Sequence, residues 1–163
     1  MNYILFDGSS RGQLLPFTFT RPVADIRVGI LTIREKWEKL LGSTTSTITE
    51  DYLANKWPMV EMEQNIMINA SFLPTPELVI QIENLEENQA IFFGEDVVAF
   101  YTLEDQEVDF STYTALELAG DPFEIAHTWD IFAKNGAAIA ADFELLTQDK
   151  ESQPIPTTEA AID

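Results

Sequence analysis

Short apolar runs alternate with segments of helical period along this chain, and the two patterns predict strands and helices in turn. Apolar runs at residues 3–6, 65–69, 89–93 and 97–101 predict buried strands. Gly94-Glu-Asp96, between the last two runs, predicts a hairpin turn. Strands that alternate with helices are typical of an α/β sheet.

Three segments show the helical period. From residue 25 to Gly42 the pattern predicts a helix, with an apolar face formed by Ile26, Ile30, Ile33, Trp37, Leu40 and Leu41. Residues 77–85 predict a short helix that begins after Pro76. Residues 129–147 predict a longer helix, which Asn135-Gly136 interrupts.

Four further segments carry weaker patterns. The β-branched residues 44–49 predict an edge strand, and residues 50–57 predict one or two helical turns. Residues 123–127 predict a strand, whereas residues 110–118 fit neither period clearly.

Composition restricts the class of protein. With 163 residues, of which 45% are hydrophobic, the chain is long enough for one globular domain. It has no cysteine, no apolar run of about 18 residues and no signal peptide at its start, and we expect a cytoplasmic protein. A formal charge of −19 argues against general affinity for nucleic acid or anionic membranes.

The charge is unevenly distributed. The first 39 residues hold six of the nine Lys and Arg but only four of the 28 acids. This basic segment includes the loop at residues 7–22, in which glycines, hydroxyl groups and guanidinium groups occur together. Those groups are typical of a phosphate site. Alternatively, Arg11 and Arg21 pair with acids elsewhere in the chain.

The same loop resembles a known motif. Residues 8–23, GSSRGQLLPFTFTRPV, are similar to the G-x-G-T-R-L-x-P-L-T-x-x-x-P-K loop near the start of sugar-1-phosphate nucleotidyltransferases. Residues 15–37, 68–74 and 142–147 more closely resemble a group of sugar nucleotidyltransferase-like proteins of Bacteroidetes-type bacteria. That group is related to the bifunctional N-acetylglucosamine-1-phosphate uridyltransferase.

The resemblance implies a fold and an activity. The fold is a Rossmann-like nucleotidyltransferase-type sheet with flanking helices, trimmed in size and covering residues 1–150. The activity transfers a nucleotidyl group from a nucleoside triphosphate to a sugar 1-phosphate, releases pyrophosphate, uses Mg²⁺ and supplies cell-envelope precursors. Residues 151–163, with two prolines, predict a linker towards an absent C-terminal domain of left-handed β-helix type, or else a plain tail. Homo-oligomers are expected, mainly through that absent domain.

Candidate site residues follow from this chemistry, which aligns two anions and neutralises their charge. The catalytic candidates are Arg11 and Arg21. The candidate nucleotide- and phosphate-binding residues are Gly8, Ser9, Ser10, Arg11, Gly12 and Arg27. Asn69 and Ser71 follow a strand, where α/β ligand crevices lie, and are candidates for sugar binding. Asp7 or Asp25 is expected to hold Mg²⁺, although Asp7 alternatively caps a turn.

Three departures from the family pattern bear on activity. The glycine spacing after Gly8 is altered, Val23 stands where the motif has lysine, and Asn69 stands where the related enzymes have a metal-binding acid. The alternative function is therefore a catalytically weak or inactive nucleotide- or sugar-binding domain, or a structural domain. His127 is expected to be structural. Apolar residues beyond Trp129 exceed what a terminal helix needs, and predict an interface with a second subunit or an absent domain.

Overall fold

The computed structural model of the protein describes residues 1–153, which form a six-stranded mixed sheet with helices packed against it. The strands are β1 (Asn2–Phe6), β2 (Thr45–Ile48), β3 (Gln64–Asn69), β4 (Gln89–Phe93), β5 (Asp96–Leu103) and β6 (Thr114–Glu117). Across the sheet their order is β2-β1-β3-β5-β4-β6. The predicted α/β class is confirmed.

Strand direction brings several chain segments to one edge of the sheet. β1 runs parallel to both β2 and β3, whereas β5 runs antiparallel to β3 and β4. The carboxyl ends of β1, β2 and β3 therefore share an edge with the turn between β4 and β5. The chain leaves β1 for β2 on one side and then crosses to β3 on the other, which is the arrangement that opens a crevice in α/β sheets.

In the described part of the chain, five α-helices accompany the sheet: α1 (Ile33–Leu41), α2 (Asp51–Ala54), α3 (Pro76–Glu83), α4 (Thr128–Ala133) and α5 (Asn135–Thr147). Side chains from α1, α3, α4 and α5 join the main core cluster, together with buried residues from one face of the sheet. The other face carries a smaller cluster, centred on Met67 and Phe100. Within residues 1–153, that smaller cluster includes no α-helical residue.

The first long helix is shorter than its sequence period predicts. It begins at Ile33, so the prediction is wrong for residues 25–32. Thr32 closes a capping box, because its hydroxyl accepts the backbone N–H of Glu35 while the Glu35 carboxylate accepts the N–H of Thr32. Gly29, at φ +81°, turns the chain just before this cap. The earlier apolar residue Ile26 reaches the core from an extended segment instead.

Most other predictions are confirmed, with differences at three places. Residues 110–118 divide into a 3₁₀ turn, Phe110–Thr112, and strand β6. Residues 123–127 form no strand, and Glu124 makes only an isolated bridge to Phe72. The predicted interruption of the last helix lies at Lys134, between α4 and α5.

Helix α5 is attached to the body by polar groups. Asp142 is buried, forms an ion pair with Lys36 and accepts the backbone N–H groups of Ile30 and Leu31. Burial lowers the pKa of Lys36, and the Asp142 carboxylate acts in the opposite direction. No helix in the described residues is long and apolar enough to cross a membrane. Most of the predicted linker at 151–163 lies outside the described residues, so this assignment stays a prediction.

Candidate functional site

A cleft of about 1060 Å³ opens at the edge of the sheet where β1, β2 and β3 end. Its walls come from the loop after β1, the segment after β2 and the turn between β4 and β5, with Asn69 at the end of β3 between them. A volume of this order is sufficient for a nucleotide-sized ligand. Ligands of open α/β sheets bind beyond the carboxyl ends of the strands, so this cleft is the candidate site.

Gly8 allows the first loop to pass directly against the end of β3. A Cβ atom built on Gly8 would lie 2.4 Å from both Asn69 Nδ2 and Asn69 Oδ1. Those contacts are far inside van der Waals range, so any larger residue at this position would have to displace the Asn69 amide. The glycine predicted as a phosphate-loop residue is thus required by packing.

Asp7, at the start of the loop, acts as a fixed acceptor. Its carboxylate accepts hydrogen bonds from the Val23 backbone N–H at 2.7 Å, from Thr49 Oγ1 at 2.6 Å and from an Arg11 guanidinium nitrogen at 2.5 Å. Only 6% of the Asp7 side chain is exposed. This carboxylate therefore ties three chain segments together, as in the turn-capping alternative.

Arg11 lines the cleft, but its donors are already engaged. Besides Asp7, it donates to the Thr18 carbonyl at 2.6 Å and to the Tyr52 hydroxyl at 3.0 Å. Its Nε lies 3.4 Å from a Glu50 carboxylate oxygen. The guanidinium group thus joins the loop after β1 to the segment after β2. Its charge contributes to the electrostatics of the cleft, whereas direct contact with a phosphate would require these bonds to break.

Asn69 and Ser71 form a second internal network. Asn69 Nδ2 donates to the Val97 carbonyl at 3.0 Å, while Asn69 Oδ1 accepts both the backbone N–H and the hydroxyl of Ser71. Asn69 lines the cleft, but Ser71 is fully buried beneath it. The amide at position 69 therefore holds the ends of β3 and β5 together, and the sugar-binding role of both residues stays a prediction.

The other predicted loop residues have different surroundings. Ser9 lies at the cleft and donates to Asp96 at 2.7 Å, and Gly12 lines the same wall. Ser10 is buried on the far side of the loop, where its hydroxyl donates to Glu124 at 3.4 Å. Burial raises the pKa of Glu124, and the neighbouring Asp96 carboxylate adds to that effect.

Besides Ser10 and Ser71, three predicted residues are not part of the cleft wall. Asp25 forms a two-point ion pair with Arg34, at 3.0 and 3.2 Å, which anchors α1. Arg27 contacts the Ile30 carbonyl and lies 3.9 Å from a Glu35 carboxylate oxygen. Arg21 is exposed at the other end of the loop. The cleft therefore brings together Asp7, Gly8, Ser9, Arg11, Gly12 and Asn69, and leaves out Ser10, Arg21, Asp25, Arg27 and Ser71.

The charged part of the cleft wall is predominantly acidic. Arg11 is its basic member, and the acidic members are Asp7, Glu50, Asp51, Glu95 and Asp96. A polyphosphate entering this cleft would experience net repulsion from the rim, since carboxylates outnumber the one guanidinium group. The sequence predicted a basic loop, but the structure surrounds that loop with acids from the segment after β2 and from the hairpin.

The floor of the cleft is apolar and lies on the sheet face that carries the smaller core cluster. It is formed by Phe6, Met67, Phe100, Val108 and Phe110. The rings of Phe100 and Phe110 meet edge to face, with centroids 5.1 Å apart. Phe110 is 38% exposed and Val108 is 41% exposed. A flat apolar group can therefore be buried on this floor.

Sequence reasoning missed much of this wall. Thr49, Glu50 and Tyr52 follow β2, and Asp96 begins β5, yet none was singled out as a site residue. Their position was predictable in one respect, because the carboxyl ends of neighbouring parallel strands meet at one edge of a sheet. The order of the strands was needed to apply that rule, and the sequence alone does not supply it.

The donor set does not form a preformed Mg²⁺ site. Asp7 already accepts three hydrogen bonds, and Asp25 is paired with Arg34 outside the cleft. Among residues 1–153, no group of three or more carboxylate, imidazole or thiolate side chains is arranged to hold a metal ion. Asp7 and Asp25, which were expected to hold Mg²⁺, both make contacts within the fold, and their role as ligands stays a prediction.

Comparison with known proteins gives a matching family and several solved structures of similar fold. A family model described as sugar nucleotidyl transferase matches residues 3–151. A crystal structure from Bacillus anthracis, of a protein assigned as a glucose-1-phosphate thymidylyltransferase in complex with sucrose, matches with a TM-score of 0.51 and 10% identity. The match covers 85% of this chain and 95% of that one. No curated protein sequence matches at a significant level.

Proposed function

The chain belongs to the sugar nucleotidyl transferase family, and from this premise we propose that its cleft binds a nucleotide and a sugar phosphate for nucleotidyl transfer. In that reaction a phosphate oxygen of a sugar 1-phosphate attacks the α-phosphorus of a nucleoside triphosphate. The bond from that phosphorus to the bridging oxygen breaks, and pyrophosphate leaves with the electron pair. The enzyme's main task is to align the two anions.

The observation that carries the proposal is the position and shape of the cleft. It lies beyond the carboxyl ends of three neighbouring strands, is bounded by the Gly8 loop and has an apolar floor on the sheet face whose cluster includes no α-helical residue within residues 1–153. We place the nucleobase on the floor against Phe110 and the phosphates towards the Gly8 loop. Stacking of a base on an aromatic side chain contributes about 1–3 kcal/mol, which helps to offset the acidic rim.

A second candidate, a binding domain with little or no turnover, is favoured by the contacts of two residues. The Arg11 guanidinium group is engaged by Asp7, Thr18, Tyr52 and Glu50. Little fixed positive charge is therefore available to a transferring phosphoryl group. Asn69 provides a neutral amide that is engaged with protein partners. Because preorganised charge stabilises this kind of transition state, we expect slow turnover.

Two measurements test the proposal. In thermal-shift titrations with and without Mg²⁺, nucleoside triphosphates or nucleotide sugars should raise the melting temperature. Phe110→Ala should weaken nucleotide binding about tenfold or more. The matched control is Phe93→Ala, because Phe93 is 41% exposed but does not line the cleft.

Pyrophosphate release then separates the two candidates. Turnover approaching about 1 per second would assign an ordinary transferase, whereas binding without turnover would assign the second candidate. If no nucleotide or nucleotide sugar shifts the melting temperature at millimolar concentration, both are wrong.

A further inference from the structure

The outer surface of α4 and α5 is apolar and exposed. Phe132 is 73% exposed, Trp129 63%, Phe143 60% and Ile139 43%. We call these four residues the outer helical face. Large side chains this exposed are uncommon as a group on a monomer, and contiguous apolar patches usually mark sites of interaction.

Helix α5 exposes no charged side chain from Asn135 to Phe143, and its first exposed acid is Glu144. Between Asn135 and Phe143 its one ionisable residue is Asp142, which is 2% exposed and paired with Lys36. The remaining exposed positions of this stretch are small, and they are Gly136, Ala137, Ala140 and Ala141. A chain with 28 acids thus presents a helix surface of more than two turns without an accessible carboxylate.

The helix cannot rotate to bury these side chains against its own sheet. Asp142 accepts the backbone N–H groups of Ile30 and Leu31, and the Asn135 side chain accepts the N–H of Gly29. A Cβ atom on Gly29 would lie 2.6 Å from an Asp142 carboxylate oxygen, which shows how closely helix and loop approach. These buried bonds fix the polar side of α5 inward and the outer helical face outward.

The exposed area is suited to the centre of a protein interface. Each aromatic side chain contributes about 150–250 Å² when it is buried. Three aromatic side chains at roughly two-thirds exposure therefore offer about 300–500 Å² of apolar surface. A standard interface buries about 800 Å² per partner, with a polar rim around an apolar centre.

We propose that a second copy of this chain covers the outer helical face, with the two α5 helices antiparallel about a two-fold axis. A two-fold axis places the same patch on both partners, so an apolar patch meets an apolar patch. The small residues beside Ile139 and Phe143 allow the two helix backbones to approach closely. Two copies, each of charge −19, also meet there with the least repulsion, since α5 exposes no acid between residues 135 and 143.

Sedimentation of the full chain over a range of concentration and salt tests the proposal. We expect a dimer that tightens as salt rises, because salt shortens the range of repulsion from about 30 Å at 0.01 M to 3 Å at 1 M. Phe132→Glu and Phe143→Glu should each weaken the dimer by about 30-fold or more, the effect of losing an interface hot spot. The control is Ile80→Glu, because Ile80 is 60% exposed on α3 and lies outside the face.

Several results would overturn the proposal. A wild-type chain that stays monomeric at every salt concentration would do so. The proposal would also be overturned if both Glu variants are folded by circular dichroism and dimerise as tightly as the wild type. A chain that dimerises only after residues 154–163 are removed would assign the face to that segment instead.

Discussion

Replacing Gly8 by alanine tests whether the first loop and the end of β3 are held together by close contact. The backbone at Gly8, φ −81° and ψ −170°, is one that alanine adopts without strain. On backbone entropy alone the change would stabilise the protein by about 0.4–1 kcal/mol. The new methyl group would nevertheless lie 2.4 Å from the Asn69 amide, so packing and entropy predict opposite signs.

The contacts of Asn69 decide which effect is larger. The amide is short and 3% exposed, and its three hydrogen bonds, at 3.0, 3.0 and 2.8 Å, reach Val97 and Ser71. Each bond contributes about 0.5–1.5 kcal/mol, and a buried partner left without one costs about 1–3 kcal/mol. Displacing the amide should therefore lower the free energy of unfolding by about 2–4 kcal/mol. For a domain of this size, that corresponds to a fall of roughly 5–15 °C in melting temperature.

A double-mutant cycle provides the assay. The free energy of unfolding is measured by urea denaturation for Gly8→Ala, Asn69→Ala and the double variant. In the Asn69→Ala background the obstructing atoms are gone, so Gly8→Ala should be neutral or slightly stabilising. Gly12→Ala is the matched control, because a Cβ at Gly12 meets nothing within 4 Å. A loss of the same size for Gly8→Ala in both backgrounds would refute the contact as its cause.

Three further predictions concern charged groups. Arg11→Lys keeps the charge but cannot reach Asp7, the Thr18 carbonyl and Tyr52 together, so urea denaturation should show a loss of about 1–3 kcal/mol. Lys36→Met should cost about 3–5 kcal/mol by the same measurement, because it leaves the buried carboxylate of its partner on α5 unpaired. The Thr32 backbone N–H lowers the pKa of Glu35 below its ordinary 4.5, so this carboxylate's contribution to stability is complete above that pH and is lost as pH falls through the lowered folded pKa. In thermal melts at decreasing pH, the melting temperature of Glu35→Gln should fall less than that of the wild type. The same pH profile for both proteins would contradict the capping role.

Much of the fold could be predicted because buried strands are encoded locally. The apolar runs that gave β1, β3, β4 and β5 are each bounded by turn residues, and Gly94 takes φ +62° in the predicted hairpin. Helix α1 was predicted too early because Ile26 keeps the helical period without being helical. The capping box at Thr32 was visible in the sequence, as Thr followed three residues later by Glu, and would have given the correct start.

The candidate site was less predictable, because it depends on which side chains meet across the sheet. The loop after β1 was expected to bind phosphate, which stays a prediction, and its residues Gly8 and Arg11 line the cleft together with Asn69. The spacing in the sequence carried no information that the segment after β2 would bring Thr49 to Asp7, or that the hairpin would bring Asp96 to Ser9. Long-range pairs of this kind follow from strand order, which local periodicity does not determine.

Most cations of the basic segment at the start of the chain form ion pairs within the protein. Of its six cations, four pair with carboxylates, and these pairs are Arg11 with Asp7, Arg27 with Glu35, Arg34 with Asp25 and Lys36 with Asp142. Each pair joins segments that lie apart in the chain or fixes the loop between them. Charge that is paired within the fold is less available to stabilise a reacting phosphoryl group. Because of this distribution of charge, we expect this member of the family to bind nucleotide but to transfer the nucleotidyl group slowly.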